Sequence, residues 1–147
     1  MFKRILVVCI GNICRSPTAE FLLRERLGQG GCEVSSAGLS AVVGEPMDPT
    51  AAELLRENGV DGSIHRGRQV TGELLRRSDL ILTMEKSHSA SIARGYPEVS
   101  GKVFLLGKWQ SETDIPDPYR QPRHAFVHAY RLIDQGISGW LPYLKQH

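Results

Sequence analysis

The 147 residues carry 18 Lys and Arg against 16 Asp and Glu, a net charge of +2, with no basic run or interleaved aromatics, which excludes nucleic acid as a partner. No apolar span reaches transmembrane length, and Gly11-Asn12 breaks the run after Lys3-Arg4 before any signal-peptide cleavage site, so a cytoplasmic protein without membrane insertion is expected. The 3 cysteines, odd in number and without metal-ligand spacing, exclude a secreted disulfide framework and predict no metal site; one α/β domain over 1–147 is expected.

Arg4 to Val8 reads as the first strand. A helix follows from Ser16, its expected cap, to Leu27, with Ala19, Leu22, Leu23 and Leu27 on one face; Gly28, Gly30 and Gly31 end it. Cys32 to Ser36 supplies a second strand, and Ala37-Gly38 turns the chain into a loop through Gly44, Pro46 and Asp48. Asp48-Pro49 opens a helix over 50–58 that Gly59 closes, and Thr71 caps a short one over 73–77. Leu80 to Met84 is a third strand, apolar enough to be buried on both faces, followed by a helix over 85–94 and a fourth strand over 102–106.

Pro116, Pro118 and Pro122 keep 111–121 out of helix. In the C-terminal helix Phe126, Tyr130, Ile133, Ile137, Trp140 and Leu144 recur at spacings of three and four, a core stripe that Gly136 and Gly139 weaken locally. The alternation predicts a four-stranded parallel sheet flanked by helices on both faces, with its ligand site at the carboxyl ends of the strands.

The densest chemistry lies in Cys9-Ile10-Gly11-Asn12-Ile13-Cys14-Arg15-Ser16, between the first strand and the Pro17-Thr18 helix start. A strand, a short loop and a helix start aim backbone N–H groups and the positive helix end at one spot, which makes a phosphate-binding loop. The field that holds a phosphate also favours thiolate over thiol at Cys9. Arg15 adds a planar fork of donors matching two phosphoryl oxygens. Alone, this loop leaves phosphoryl transfer, arsenate reduction and simple binding open.

A sulfur nucleophile attacking phosphorus expels an oxygen that needs a proton. Asp117 in Ile115-Pro116-Asp117-Pro118-Tyr119-Arg120 is the candidate donor, with two prolines stiffening its loop and Tyr119 offering an aromatic wall. Asp114 is the nearby competitor, whereas Asp48 reads as a helix cap.

With these residues assembled, the chain resembles the low-molecular-weight protein tyrosine phosphatases over nearly its whole length. The resemblance rests on the N-terminal loop, the Ser36-Ala37-Gly38 turn, the His65-to-Arg segment, Asp79-Leu80-Ile81-Leu82-Thr83-Met84 and Asp117-Pro118-Tyr119. It implies Cys9 as nucleophile, Arg15 as phosphate ligand and Asp117 as general acid, with no cofactor. It further implies a hydrogen-bond network of Asn12, Ser16, Ser36 and His65 that shapes the loop, with Ser16 activating the thiol. Cys14 would condense with oxidised Cys9 into a reversible disulfide.

The wall Leu39-Ser40-Ala41-Val42-Val43-Gly44 is aliphatic, and a single tyrosine precedes Arg120, which is similar to the bacterial exopolysaccharide branch of the family. Leu39 and Tyr119 are the expected ring contacts. The branch implies a phosphotyrosine protein as partner, the tyrosine-rich tail of a membrane-anchored autokinase that controls capsule or exopolysaccharide production. The competing readings are an arsenate reductase, which would need a further cysteine after Cys32, and a silent phosphotyrosine-binding module.

Overall fold

The computed structural model describes residues 2–145; residue 1 and the last two residues of the expected 1–147 domain lie outside them. Four strands, β1 (Arg4–Cys9), β2 (Glu33–Gly38), β3 (Leu80–Thr83) and β4 (Val103–Leu105), form one parallel sheet in the order β2-β1-β3-β4. The helices are α1 (Arg15–Leu27), α2 (Pro49–Glu57), α3 (Gly72–Arg77), α4 (Lys86–Gly95) and α5 (Arg123–Leu144).

Alternation along β1 assigns its two faces. Ile5 and Val7 join a core with Leu22, Leu23, Leu55, Ile133, Ile137 and Trp140, from α1, α2 and α5. Leu6 and Val8 join a second core with Leu75, Ile92 and Val99, beside α3 and α4. The strands beside β1 are reached in opposite directions, β2 on one edge and β3 on the other, so the carboxyl end of β1 is a topological switch point. Cys9 ends that strand.

Several expectations are revised. Ala37 and Gly38 are not a turn but the end of β2, paired with Val8 and Cys9. The fourth strand shrinks to three residues because 3-10 turns take up Pro97–Lys102 and Leu106–Trp109 on either side. Ser16 does not cap α1; Cys14 occupies the cap position and Ser16 lies inside the first turn, its hydroxyl used elsewhere. Asp48 and Thr71 do cap α2 and α3, accepting from Thr50 and Leu74 amides at 2.9 and 3.1 Å.

Candidate active site

The loop from Cys9 to Cys14 is shaped by what surrounds its carbonyls. Those of Cys9, Ile10 and Gly11 each accept a backbone N–H at 2.9 Å, from Leu39, Ser40 and Val42. Asn12 O accepts from His65 Nε2 at 2.6 Å, and Ile13 O from the Asp48 amide at 2.7 Å. Cys14 O accepts from Thr18 Oγ1 at 2.7 Å. All six carbonyls are thus turned into the protein, and among the described residues no amide of 10–14 donates to a protein acceptor. Donors facing the open side are what an anion requires.

Asn12 makes the bend possible. Its φ of 58° is left-handed, a conformation that Asn tolerates better than most residues. Beneath it, Gly38 leaves room that a side chain would take: a Cβ there would sit 2.4 Å from Ile10 O.

A buried polar chain ties the loop to the sheet. Asn12 Nδ2 donates to Ser16 Oγ at 2.8 Å and to Ser36 Oγ at 2.9 Å, while Asn12 Oδ1 accepts from the Arg68 amide at 2.8 Å. Ser36 Oγ in turn donates to Glu20 Oε1 at 2.6 Å. These polarities decide the last link. Ser16 Oγ already accepts from Asn12, so its own proton is free to point along the 2.8 Å contact to Cys9 Sγ. Ser16 thus presents a hydrogen-bond donor to the sulfur.

Arg15 is 2 % exposed. Nη1 donates to Glu85 Oε2 at 2.5 Å and to Ile115 O at 2.8 Å, and Nη2 stands 3.7 Å from Asp117 Oδ2. Glu85 sits at the N-terminal cap of α4 without capping it; the Lys86 amide takes Asp114 Oδ1 instead, at 2.9 Å. That contact engages Asp114, the competitor acid, elsewhere. Asp117 keeps Oδ1 on the Tyr119 amide at 3.1 Å and stays half exposed.

Cys9, Ile10, Gly11, Asn12, Ile13, Cys14 and Arg15 line a cleft of about 220 Å³ with Asp117 and Tyr119. Its remaining wall is Ser40 and Val42, not Leu39, which packs into the core beside Val8. Arg120, also left-handed at φ 63°, lays its guanidinium 5.2 Å over the Tyr119 ring. Burial pushes the Cys14 thiol far above its ordinary range, with Asp48, Cys9 and Asp117 adding to the effect and Arg15 opposing it. All three cysteines are free. No group of three metal-ligating side chains occurs among the described residues.

Glu20 and Glu85 complete the site and go unmarked in the sequence. Their partners Ser36 and Arg15 lie 16 and 70 residues away, so no local spacing advertises them.

Known proteins resemble this chain in sequence and in fold. The profile of the low molecular weight phosphotyrosine protein phosphatases matches residues 4–147. Low molecular weight protein-tyrosine-phosphatase Etp of Escherichia coli K12 is 46 % identical over 145 residues, covering 99 % of this chain and 97 % of its own. The Wzb phosphatase of Salmonella typhimurium is 48 % identical over 140 residues, 95 % and 93 % of the two chains. The solved structure of Vibrio vulnificus Wzb with benzylphosphonate is 46 % identical and superposes with a TM-score of 0.93, over 97 % of this chain and 99 % of that one. With profile, sequence and structure agreeing over nearly its full length, the chain belongs to the low molecular weight protein-tyrosine-phosphatase family.

Proposed function

We propose that the chain hydrolyses phosphotyrosine through a cysteinyl-phosphate. The observation that carries this reading is the single cleft shared by the Cys9 sulfur, the Arg15 guanidinium and the Asp117 carboxyl. Cys9 thiolate attacks phosphorus, the bond to the phenolic oxygen breaks, and Asp117 delivers its proton to that oxygen. Water then attacks the phosphocysteine with Asp117 taking its proton, which releases phosphate and restores the thiolate. Loop amides and Arg15 hold the non-bridging oxygens through both steps, so positioning and electrostatics carry most of the acceleration.

The aliphatic Val42 and aromatic Tyr119 flank the mouth as a tyrosyl ring requires. For the physiological substrate we infer the tyrosine-rich tail of a membrane-anchored autokinase governing exopolysaccharide or capsule, reached from the cytoplasm, where free thiols persist. Peroxide would oxidise the Cys9 thiolate to sulfenic acid, being itself reduced to water, and Cys14 would then attack that sulfur to form a disulfide and release water. Arsenate reduction lacks a relay, because no cysteine follows Cys32.

The test is turnover of phosphotyrosine and phosphoserine peptides by wild type and Cys9→Ser. Wild type should release phosphate from the phosphotyrosine peptide, and the variant should lose at least about a thousandfold in kcat while still binding phosphate, since a serine hydroxyl is scarcely ionised at neutral pH. Turnover by the variant would remove Cys9 from the mechanism. A multiply phosphorylated tail peptide cleaved no better than an isolated phosphotyrosine would remove the kinase assignment and leave the phosphatase standing.

A further inference from the structure

His88, on the first turn of α4, is 2 % exposed, and the two-step displacement gives it no task. Its Nε2 lies 3.5 Å from Glu85 Oε2, the same oxygen that accepts from Arg15 Nη1 at 2.5 Å. Its Nδ1 is buried with no hydrogen-bond partner among the described residues. A buried ring nitrogen left unpaired destabilises a fold, so packing alone would favour Leu or Met of similar volume here. The ring atom that faces a charge is Nε2, set toward the Glu85 carboxylate at a separation longer than an ordinary hydrogen bond.

We propose that His88 is a positioning residue for Arg15: the neutral imidazole, with Nε2–H turned toward Glu85 Oε2 across a 3.5 Å polar contact, steadies the carboxylate that aims the phosphate-binding guanidinium. The proposal rests on the phosphatase reading of the cleft. The charged groups around the ring are Arg15 from α1, Glu85 from the α4 cap, and Asp114 and Asp117 from the loop before α5. Burial lowers the His88 pKa below its ordinary value and Arg15 lowers it further, whereas Glu85, Asp114 and Asp117 oppose this. The ring is therefore neutral at pH 7. When it gains a proton in acid, the imidazolium competes with Arg15 for Glu85 Oε2 and sets a second cation beside the guanidinium, so the aim is lost.

The experiment measures kcat/KM for phenyl phosphate from about pH 8 to about pH 5 in wild type, His88→Leu, His88→Gln, Glu85→Gln and the His88→Leu/Glu85→Gln pair. The ratio of wild type to variant at each pH cancels ionisations common to both, those of Cys9, Asp117 and the substrate. His88→Leu should melt no lower than wild type yet lose about tenfold at the alkaline end, with the ratio falling toward one in acid. His88→Gln, which keeps an N–H within reach of Glu85, should recover most of the loss. The pair should be no worse than Glu85→Gln alone, because His88 acts through Glu85.

A ratio that stays flat across the pH range, or losses that add in the pair, would overturn the proposal. His88→Met gives the same readings should the leucine variant fail to fold. A wild type that leaves phenyl phosphate intact overturns the phosphatase reading instead.

Discussion

Asp117 is half exposed, with one carboxyl oxygen spent on the Tyr119 amide and the other turned toward Arg15, 3.7 Å away. A donor so placed can reach solvent between turnovers and still stand over the leaving group. If it delivers the proton, its removal matters in proportion to how badly the leaving group needs one. Asp117→Asn should cost about 100-fold to 10,000-fold in kcat on phenyl phosphate, whose phenolate leaves poorly, and far less on esters of strongly acidic phenols. A leaving-group series of aryl phosphates checks this, and equal losses along it would place the acid elsewhere. The other half of the residue-scale argument is Ser16, whose hydroxyl has one direction left to donate once Asn12 has taken its lone pair.

At the scale of elements, α5 meets the 3-10 turn Leu106–Trp109 through Gly136. A Cβ at 136 would lie 2.8 Å from Leu106 Cγ and 2.9 Å from Leu106 O, the latter a backbone atom that cannot swing away. Alanine gains roughly 1 kcal/mol of helix propensity over glycine, whereas forcing an extra carbon into a packed contact costs about 1–3 kcal/mol. The clash wins. Gly136→Ala should therefore lower stability, by up to about 2 kcal/mol in denaturant unfolding, and a raised midpoint would refute the close-approach account. From sequence alone this glycine reads as a weak spot in a helix, because its neighbour comes from another element. The same limit explains the rest of what sequence did and did not disclose. Asp48 and Thr71 were legible as caps because each bonds two or three residues ahead. The loop, Arg15 and Asp117 were legible because their chemistry is unusual for a packing role. Ser16 fits the local pattern of a cap but is not one; its place beside the sulfur is signalled by the family resemblance and not by any local spacing. Leu39, expected on the wall, follows a β2 that runs two residues further than expected and packs partly buried against the core, while Ser40 lines the cleft.

Over the whole molecule, the site draws together residues that lie far apart in the chain. Arg15 reaches the carbonyl of Ile115 across 100 residues of sequence, and the loop that carries Asp117 is held against the first strand's loop largely through that guanidinium. The sheet order brings both there without strain, β1 and β3 side by side with their carboxyl ends toward one cleft. A ligand that binds the folded cleft and not the unfolded chain must stabilise the entire fold, by about 2.7 kcal/mol at a concentration 100 times its Kd. For a domain of this size each kcal/mol is worth about 2–4 °C, so saturating inorganic phosphate should raise the Tm by about 5–10 °C. Thermal melts of wild type and Arg15→Ala with and without phosphate test the claim. The variant should lose most of the shift, since the loop amides alone remain to hold the anion. An undiminished shift in Arg15→Ala would mean that phosphate binds away from the cleft and that the guanidinium serves only to pin the Asp117 loop.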